Sequence, residues 1–199
     1  MESLIGIKCR DFVLLAADAS VARSIMVLKQ DEQKIFKLSD SLAMAVAGES
    51  GDTVQFADYI AKNIQLFKMR NGYGLSPKAA ANFTRKNLAD SLRTRNAYRC
   101  DLLLGGFDSH SKEPELYWVD YLGSLAKVPF AAHGYGGIFS MGVIDAAYRA
   151  DMTVEEAHSL IRACVKEIRK RFLGNMPVFK CVVIDTNGIR DLSDVKVDE

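Results

Sequence analysis

The sequence has few cysteines, and their spacing excludes the common cysteine-based sites. Cys9, Cys100, Cys164 and Cys181 lie far apart, with no CxxC pair of the kind that binds zinc or exchanges disulfides. Three of them stand in apolar runs, where a reduced cysteine behaves as a small hydrophobic residue. We therefore expect an intracellular protein with no disulfide framework, no metal site and no cofactor.

The sequence also lacks the patterns that direct a chain into a membrane or onto nucleic acid. It has no uncharged apolar run of about 18 residues, which is the length that a spanning helix needs. Its first residues show no basic segment followed by a long apolar one, as a secretory signal would. The 26 basic and 25 acidic residues nearly cancel, and nucleic-acid binding usually requires a basic patch. We expect neither a membrane nor a nucleic acid among its partners.

Short glycine and histidine patterns give no catalytic motif. The GYGG sequence at 134–137 lacks the spacing of phosphate-binding loops, so we interpret it as a tight turn into a helix. No GxSxG nucleophile motif occurs. His110, His133 and His158 share no metal-ligand spacing, and we interpret them as structural residues. The basic run at 166–171 ends a predicted helix, where cations interact favourably with the helix dipole.

Hydrophobic alternation predicts strands near both ends of the chain. Residues 1–18 form two apolar segments around a polar break, which predicts a hairpin that ends at Asp18. Residues 19–33 form a polar connection, and residues 191–199 form an acidic tail that we expect on the surface. Further strands are predicted at 34–38, 42–47, 101–107, 116–121, 125–128 and 178–184, the last followed by a hairpin turn at 185–188.

Four predicted helices fall in two pairs between these strands. Their predicted starts are Ser50 or Asp52, Ser76, Gly134 and Thr153, the last with Glu156 in a capping box. Runs of strands followed by runs of helices indicate the α+β class. We expect one domain over residues 1–199, built as a four-layer αββα sandwich of two stacked antiparallel sheets flanked by helix pairs.

Several segments resemble the proteasome β subunits, which are N-terminal nucleophile hydrolases. LLAAD at 14–18 resembles a family strand that ends in Asp, and KIFKL at 34–38 resembles its Lys-led strand. AVAGESGD at 45–52 resembles the glycine turn into the first long helix. Segments at 55–95, 129–136 and 187–192 extend the resemblance over essentially the whole chain.

The resemblance implies the frame of a catalytic site without its nucleophile. Active members use the hydroxyl of an N-terminal Thr, with the α-amino group as base. By resemblance, Asp18, Lys34 and Gly48 match the family's Asp, its Lys and its oxyanion-hole Gly. Met1, or one of its immediate neighbours, stands in the place of the Thr, and the first threonine in the chain is Thr53. The resemblance therefore implies that this chain has no catalytic residues of its own.

Three further positions depart from the family pattern. Tyr135 matches the family's catalytic Ser, while Phe172 and Asn175 match its supporting Asp and Ser. A hydroxyl and a carboxylate that would orient the terminal amine are thereby lost, which again favours a non-catalytic subunit.

The resemblance thus implies a non-catalytic structural β subunit of the 20S proteasome core, in the cytoplasm and nucleus. Its expected partners are β subunits of the same and facing rings, α-ring subunits and assembly chaperones. It is expected to meet the protein substrates of ATP- and ubiquitin-dependent degradation only inside the chamber. One alternative is a self-sufficient hydrolase that uses Ser3 after trimming, or a cysteine such as Cys9. Another is a free-standing binding module.

Overall fold

The computed structural model of the protein describes residues 2–23 and 26–196. The first half contains β1 (Ser3–Lys8), β2 (Phe12–Asp18), β3 (Val21–Arg23), β4 (Met26–Lys29), β5 (Ile35–Ser39), β6 (Leu42–Gly48), α1 (Ser50–Asn71) and α2 (Pro77–Ser91). The second half contains β7 (Cys100–Asp108), β8 (Glu113–Val119), β9 (Leu125–Lys127), β10 (Phe130–His133), α3 (Gly134–Ala147), α4 (Val154–Arg171), β11 (Val178–Asp185), β12 (Gly188–Asp191) and β13 (Val195–Lys196).

Two antiparallel sheets form the centre of the molecule. The first sheet has the order β10-β1-β2-β11-β12, with β13 also paired to β11, and the second has the order β5-β6-β7-β8-β9. An apolar layer that includes Leu15, Leu103 and Val182 is buried where β2, β7 and β11 contribute to one core. Because β11 pairs along the length of β2, the two ends of the chain share one sheet.

A helix pair covers the outer side of each sheet. Ile144 of α3 and Ile161 of α4 are buried in one core with Leu14 of the first sheet. Phe56 of α1 and Leu88 of α2 are buried in a separate core with side chains of the second sheet. The predicted α+β class and four-layer αββα sandwich are confirmed. No helix in the described part of the chain is long and apolar enough to span a bilayer.

Local sequence explains the starts of α2 and α4. The Ser76 side chain accepts a hydrogen bond from the Ala79 N–H at 3.3 Å, and the capping box at Thr153 is formed as predicted. The predicted cap of α1 at Ser50 or Asp52 is wrong, because Glu49 occupies the N-cap and makes no side-chain capping bond. The Asp52 carboxylate instead accepts the Arg99 N–H at 3.0 Å, which ties α1 to the start of β7.

Three segments differ from the sequence-based expectation. The polar connection predicted at 19–33 contains the paired strands β3 and β4, and a short edge strand, β10, precedes α3 and pairs with β1. The tail expected on the surface is partly bound to the sheet, because β13 pairs with β11 and Val195 is buried. Short strands of two to four residues leave little alternation to detect, which explains why they were not predicted.

Candidate functional site

A buried ion pair lies where the two sheets meet at one end of the molecule. Asp18 is the last residue of β2, and Lys34 immediately precedes β5. The Lys34 ammonium lies 3.1 and 3.0 Å from the two Asp18 carboxylate oxygens and donates to the Ser20 carbonyl at 2.7 Å. The Asp18 side chain is fully buried and also accepts the Ser3 N–H at 2.7 Å and the Ser20 N–H at 3.1 Å. Every oxygen of this buried carboxylate is therefore hydrogen-bonded.

Gly48 lies beside this pair at the end of β6. Its φ of 145° is in the region that favours glycine, and a Cβ at this position would overlap the Arg99 carbonyl oxygen. The Gly48 N–H donates a hydrogen bond to the Glu2 carboxylate. The structure thus brings together Asp18, Lys34 and Gly48, the three positions that the sequence singled out.

Glu2 is the member of this cluster that the sequence analysis missed. Its Oε1 lies 3.4 Å from Lys34 Nζ, and its side chain is only 20% exposed. Met1, which the sequence analysis put in the place of the nucleophile, lies outside the described residues, and that assignment stays a prediction. The strand register held a usable signal, because Leu4 pairs with Ala17 and the next outward step places Ser3 and Glu2 beside Asp18.

An open cavity of about 260 Å³ adjoins the cluster, and Glu2 and Lys34 are among its lining residues. Apolar side chains that include Val21, Leu28 and Phe36 form much of the rest of its wall. A larger cleft of about 590 Å³ lies away from the cluster, beside Lys68. The Lys68–Asp40 pair there is largely exposed to solvent, whereas the Lys34–Asp18 pair is buried, so we place the candidate site at the Glu2 cluster.

Ser3, the nucleophile of the alternative hydrolase hypothesis, is fully buried in β1. Its hydroxyl has no hydrogen-bond partner among the described residues. A Cβ built on Gly136 would overlap the Ser3 hydroxyl, so α3 packs directly against it. In this conformation the Ser3 hydroxyl has neither a general base nor space for a substrate.

The cysteines are also unsuited to nucleophilic chemistry. All four are buried free thiols. Burial raises the pKa of the Cys9 thiol to about 11 and the pKa values of the Cys100, Cys164 and Cys181 thiols to about 12. Because the thiolate is the reactive form, these side chains are inert in the folded chain at neutral pH.

The histidines have separate structural partners. His133 stacks on Trp118 with ring centroids 4.9 Å apart, and its Nε2 lies 3.2 Å from the Leu102 carbonyl oxygen. Burial is the main cause that lowers the pKa of His133, which favours the neutral ring. His158 Nε2 lies 2.9 Å from the Ser193 carbonyl oxygen, and His110 is an exposed loop residue. Among the described residues, no group of His, Cys, Asp and Glu has the arrangement of a metal site.

Two of the three positions that depart from the family pattern, Tyr135 and Phe172, form an aromatic contact. The rings of Tyr135 and Phe172 stack with centroids 5.3 Å apart. The side-chain groups bonded to Lys34 and Gly48 in the described structure are the carboxylates of Asp18 and Glu2. The arrangement can hold a carboxylate beside the Lys34–Asp18 pair, but these bonded groups include no hydroxyl or thiol nucleophile.

Comparisons with known proteins assign the family. The family model for the proteasome subunit matches residues 2–184. Proteasome subunit beta type-4 of Saccharomyces cerevisiae is 45% identical over 198 residues, which are 98% of each chain. Proteasome subunit beta type-2-A of Arabidopsis thaliana is 44% identical over 191 residues, covering 96% of this chain and 93% of the relative. The chain belongs to the proteasome subunit family and is a β-type member of it.

Proposed function

We propose that this chain is a non-catalytic β subunit of the 20S proteasome core. The observation that carries the proposal is that the side chain at the centre of the candidate site is a glutamate, Glu2. Gly48 and Lys34, the latter paired with Asp18, contact the carboxylate of Glu2, which carries no hydroxyl or thiol to attack a peptide bond. In this role the chain forms part of the wall of the degradation chamber, and neighbouring subunits supply the threonine nucleophiles.

The proposed subunit position is the one called type-4 in fungi and type-2 in plants. The fungal and plant relatives match this chain at 45% and 44% identity, each over at least 96% of its residues. Such equal similarity supports the view that the two names label one position in the ring. The proposed partners are the adjacent and facing β subunits, the α subunits above and assembly chaperones. The proposed location is the cytoplasm and nucleus, and the proposed process is ATP- and ubiquitin-dependent protein degradation.

Native mass, intact mass and turnover together test this proposal. We expect the protein purified from cells to be part of a large particle, and we expect a Ser3→Ala variant of this subunit to leave peptide hydrolysis by that particle unchanged. Intact mass should show that the chain has not been cleaved to begin at Ser3. A 22 kDa monomer would favour a free-standing module. Turnover by the isolated chain that is lost on Ser3→Ala would establish the self-sufficient hydrolase instead.

A further inference from the structure

A backbone N–H and an ammonium group contact the carboxylate of Glu2. The Gly48 N–H donates to Glu2 Oε2, and the Lys34 ammonium lies 3.4 Å from Glu2 Oε1. One carboxylate oxygen therefore accepts a backbone hydrogen bond, and the other is in ion-pair contact with an ammonium whose hydrogen bonds go to Asp18 and the Ser20 carbonyl. We call the Gly48 N–H and the Lys34 ammonium the anion site. Donors of this kind bind carboxylates more strongly than neutral pairs do, because the acceptor is ionised.

The peptide group that follows Glu2 is hydrogen-bonded at both its oxygen and its nitrogen. The Tyr135 N–H donates to the Glu2 carbonyl at 3.2 Å, and the following N–H, that of Ser3, donates to Asp18 at 2.7 Å. Gly134 packs so closely on the Glu2 carbonyl that a Cβ there would overlap it. The peptide group after Glu2 is therefore held in place next to the anion site.

The anion site would be accessible to solutes if the Glu2 side chain were removed. Gly48 is exposed at the end of β6. Lys34 and Glu2 both line the adjoining cavity of about 260 Å³, which is several times the volume of a water molecule. Truncation of Glu2 would enlarge this cavity and leave the Gly48 N–H without the acceptor that it has now.

We propose that the anion site is a carboxylate-binding site that Glu2 occupies from within the same chain, so that free carboxylates are kept out. The ligand class is a monocarboxylate, the group that ends every peptide. The significance of this occupancy rests on the proposed function, since a degradation chamber contains newly released peptide carboxylates. An open site of this kind would retain those products on the chamber wall.

Acetate binding to the full chain tests the inference. We would label the chain with [15N]glycine and titrate wild type and Glu2→Ala with sodium acetate, with sodium chloride at equal ionic strength as the reference salt. In Glu2→Ala the Gly48 amide signal should shift saturably with acetate and not with chloride. In wild type it should not respond. Glu49→Ala is the matched control, because Glu49 is the exposed neighbour of Gly48, and it should behave as wild type.

Two results would overturn the inference. One is a Glu2→Ala chain that is folded, by the dispersion of its other glycine signals, and shows no saturable acetate response. The other is a wild-type chain that binds acetate as well as the variant does. If Glu2→Ala does not fold, Glu2→Gln replaces it. Hydrogen exchange at Gly48 should then be about tenfold faster than in wild type, because a charged acceptor is lost, and unchanged exchange would contradict the proposal.

These outcomes are separate from the test of the proposed function. Peptide turnover by the isolated chain would refute the non-catalytic role without affecting acetate binding. Absence of acetate binding would refute the occupied anion site and leave the non-catalytic role intact.

Discussion

At the scale of single residues, Lys34 makes the contacts that hold the site together. Its side chain is 5% exposed, and its partner Asp18 is fully buried. Burial of two charges is costly, and the cost is recovered only where good geometry and further hydrogen bonds are present. Asp18 meets that condition with donors from Ser3 and Ser20 as well as Lys34. The pair therefore fixes the end of β2 to the start of β5.

Loss of the Lys34 charge should destabilise the fold strongly. In Lys34→Met the Asp18 carboxylate stays buried without a counter-charge, so we expect the free energy of unfolding to fall by about 3–5 kcal/mol. Urea unfolding of the full chain, followed by circular dichroism, measures this. Lys62→Met is the matched control, because Lys62 pairs with Asp58 on α1 and its side chain is 76% exposed. Equal effects of the two substitutions would show that burial of the Lys34 pair does not matter to stability.

At the scale of elements, the start of α3 must pack tightly against β1. Gly136 in the first turn of α3 faces Ser3, and a Cβ there would lie 2.6 Å from Ser3 Cβ and 3.0 Å from Ile168 Cδ1. Gly142 in the same helix has no atom within 4 Å of such a Cβ. The two glycines therefore separate the effect of close packing from the effect of helix propensity.

Alanine should destabilise the fold at Gly136 but not at Gly142. Gly136→Ala should reduce the free energy of unfolding by about 1–3 kcal/mol, the usual range for overpacking. Gly142→Ala should be neutral or raise it by up to about 1 kcal/mol, because alanine is the better helix former. Thermal and urea unfolding of both variants measure this. The double variant Ser3→Gly/Gly136→Ala should recover part of the loss, and no recovery would show that Ser3 is not the obstructing contact.

The elements that could be predicted from the sequence are those with long apolar periodicity or explicit caps. The hairpin that ends at Asp18, the capped start of α4 and the layer arrangement all follow from local pattern. β4 could not be predicted, since its four residues are all exposed and no alternation marks a buried face. The cap of α1 was missed because Asp52 serves a tertiary contact with Arg99 instead.

The residues around the candidate site could be predicted from the sequence, but Glu2, the residue that lies in it, could not. Asp18, Lys34 and Gly48 were identified through family resemblance, and the fold brings them together. Glu2 by itself looks like an ordinary solvated glutamate near a chain end. Its role depends on the register between β1 and β2 and on the close approach of Gly134. The register of the hairpin could be read from the sequence, but the approach of Gly134 is a long-range contact that leaves no local pattern.

At the scale of the whole molecule, exposed apolar side chains indicate surfaces that are covered in an assembly. Met26, Val27 and Leu28 on β4 are 60%, 49% and 63% exposed. Ile138 on α3 and Leu173 after α4 are also largely exposed. Clustered exposure of large apolar residues is unusual for a monomer and is typical of protein–protein contacts. This agrees with the proposed place of the chain among neighbouring subunits.

Assembly should therefore protect Met26 from oxidation. We expect mild peroxide to convert Met26 to its sulfoxide in the isolated chain and much less so in the native particle, because a neighbouring subunit should cover β4. Peptide mass spectrometry after a timed exposure measures the difference. Met44, which is fully buried in the chain itself, is the internal control and should resist oxidation in both samples. Equal oxidation of Met26 in chain and particle would show that β4 stays exposed to solvent.

The four buried thiols can be used to measure local opening of the two helix layers. Cys9, Cys164 and Cys181 belong to the core beneath α3 and α4, whereas Cys100 belongs to the core beneath α1 and α2. An alkylating reagent can reach either group only when the corresponding helix layer separates from its sheet. The rate of alkylation at each cysteine, determined by mass spectrometry, therefore reports how often each outer helix layer opens. The two layers are measured independently, and no cysteine has to be introduced.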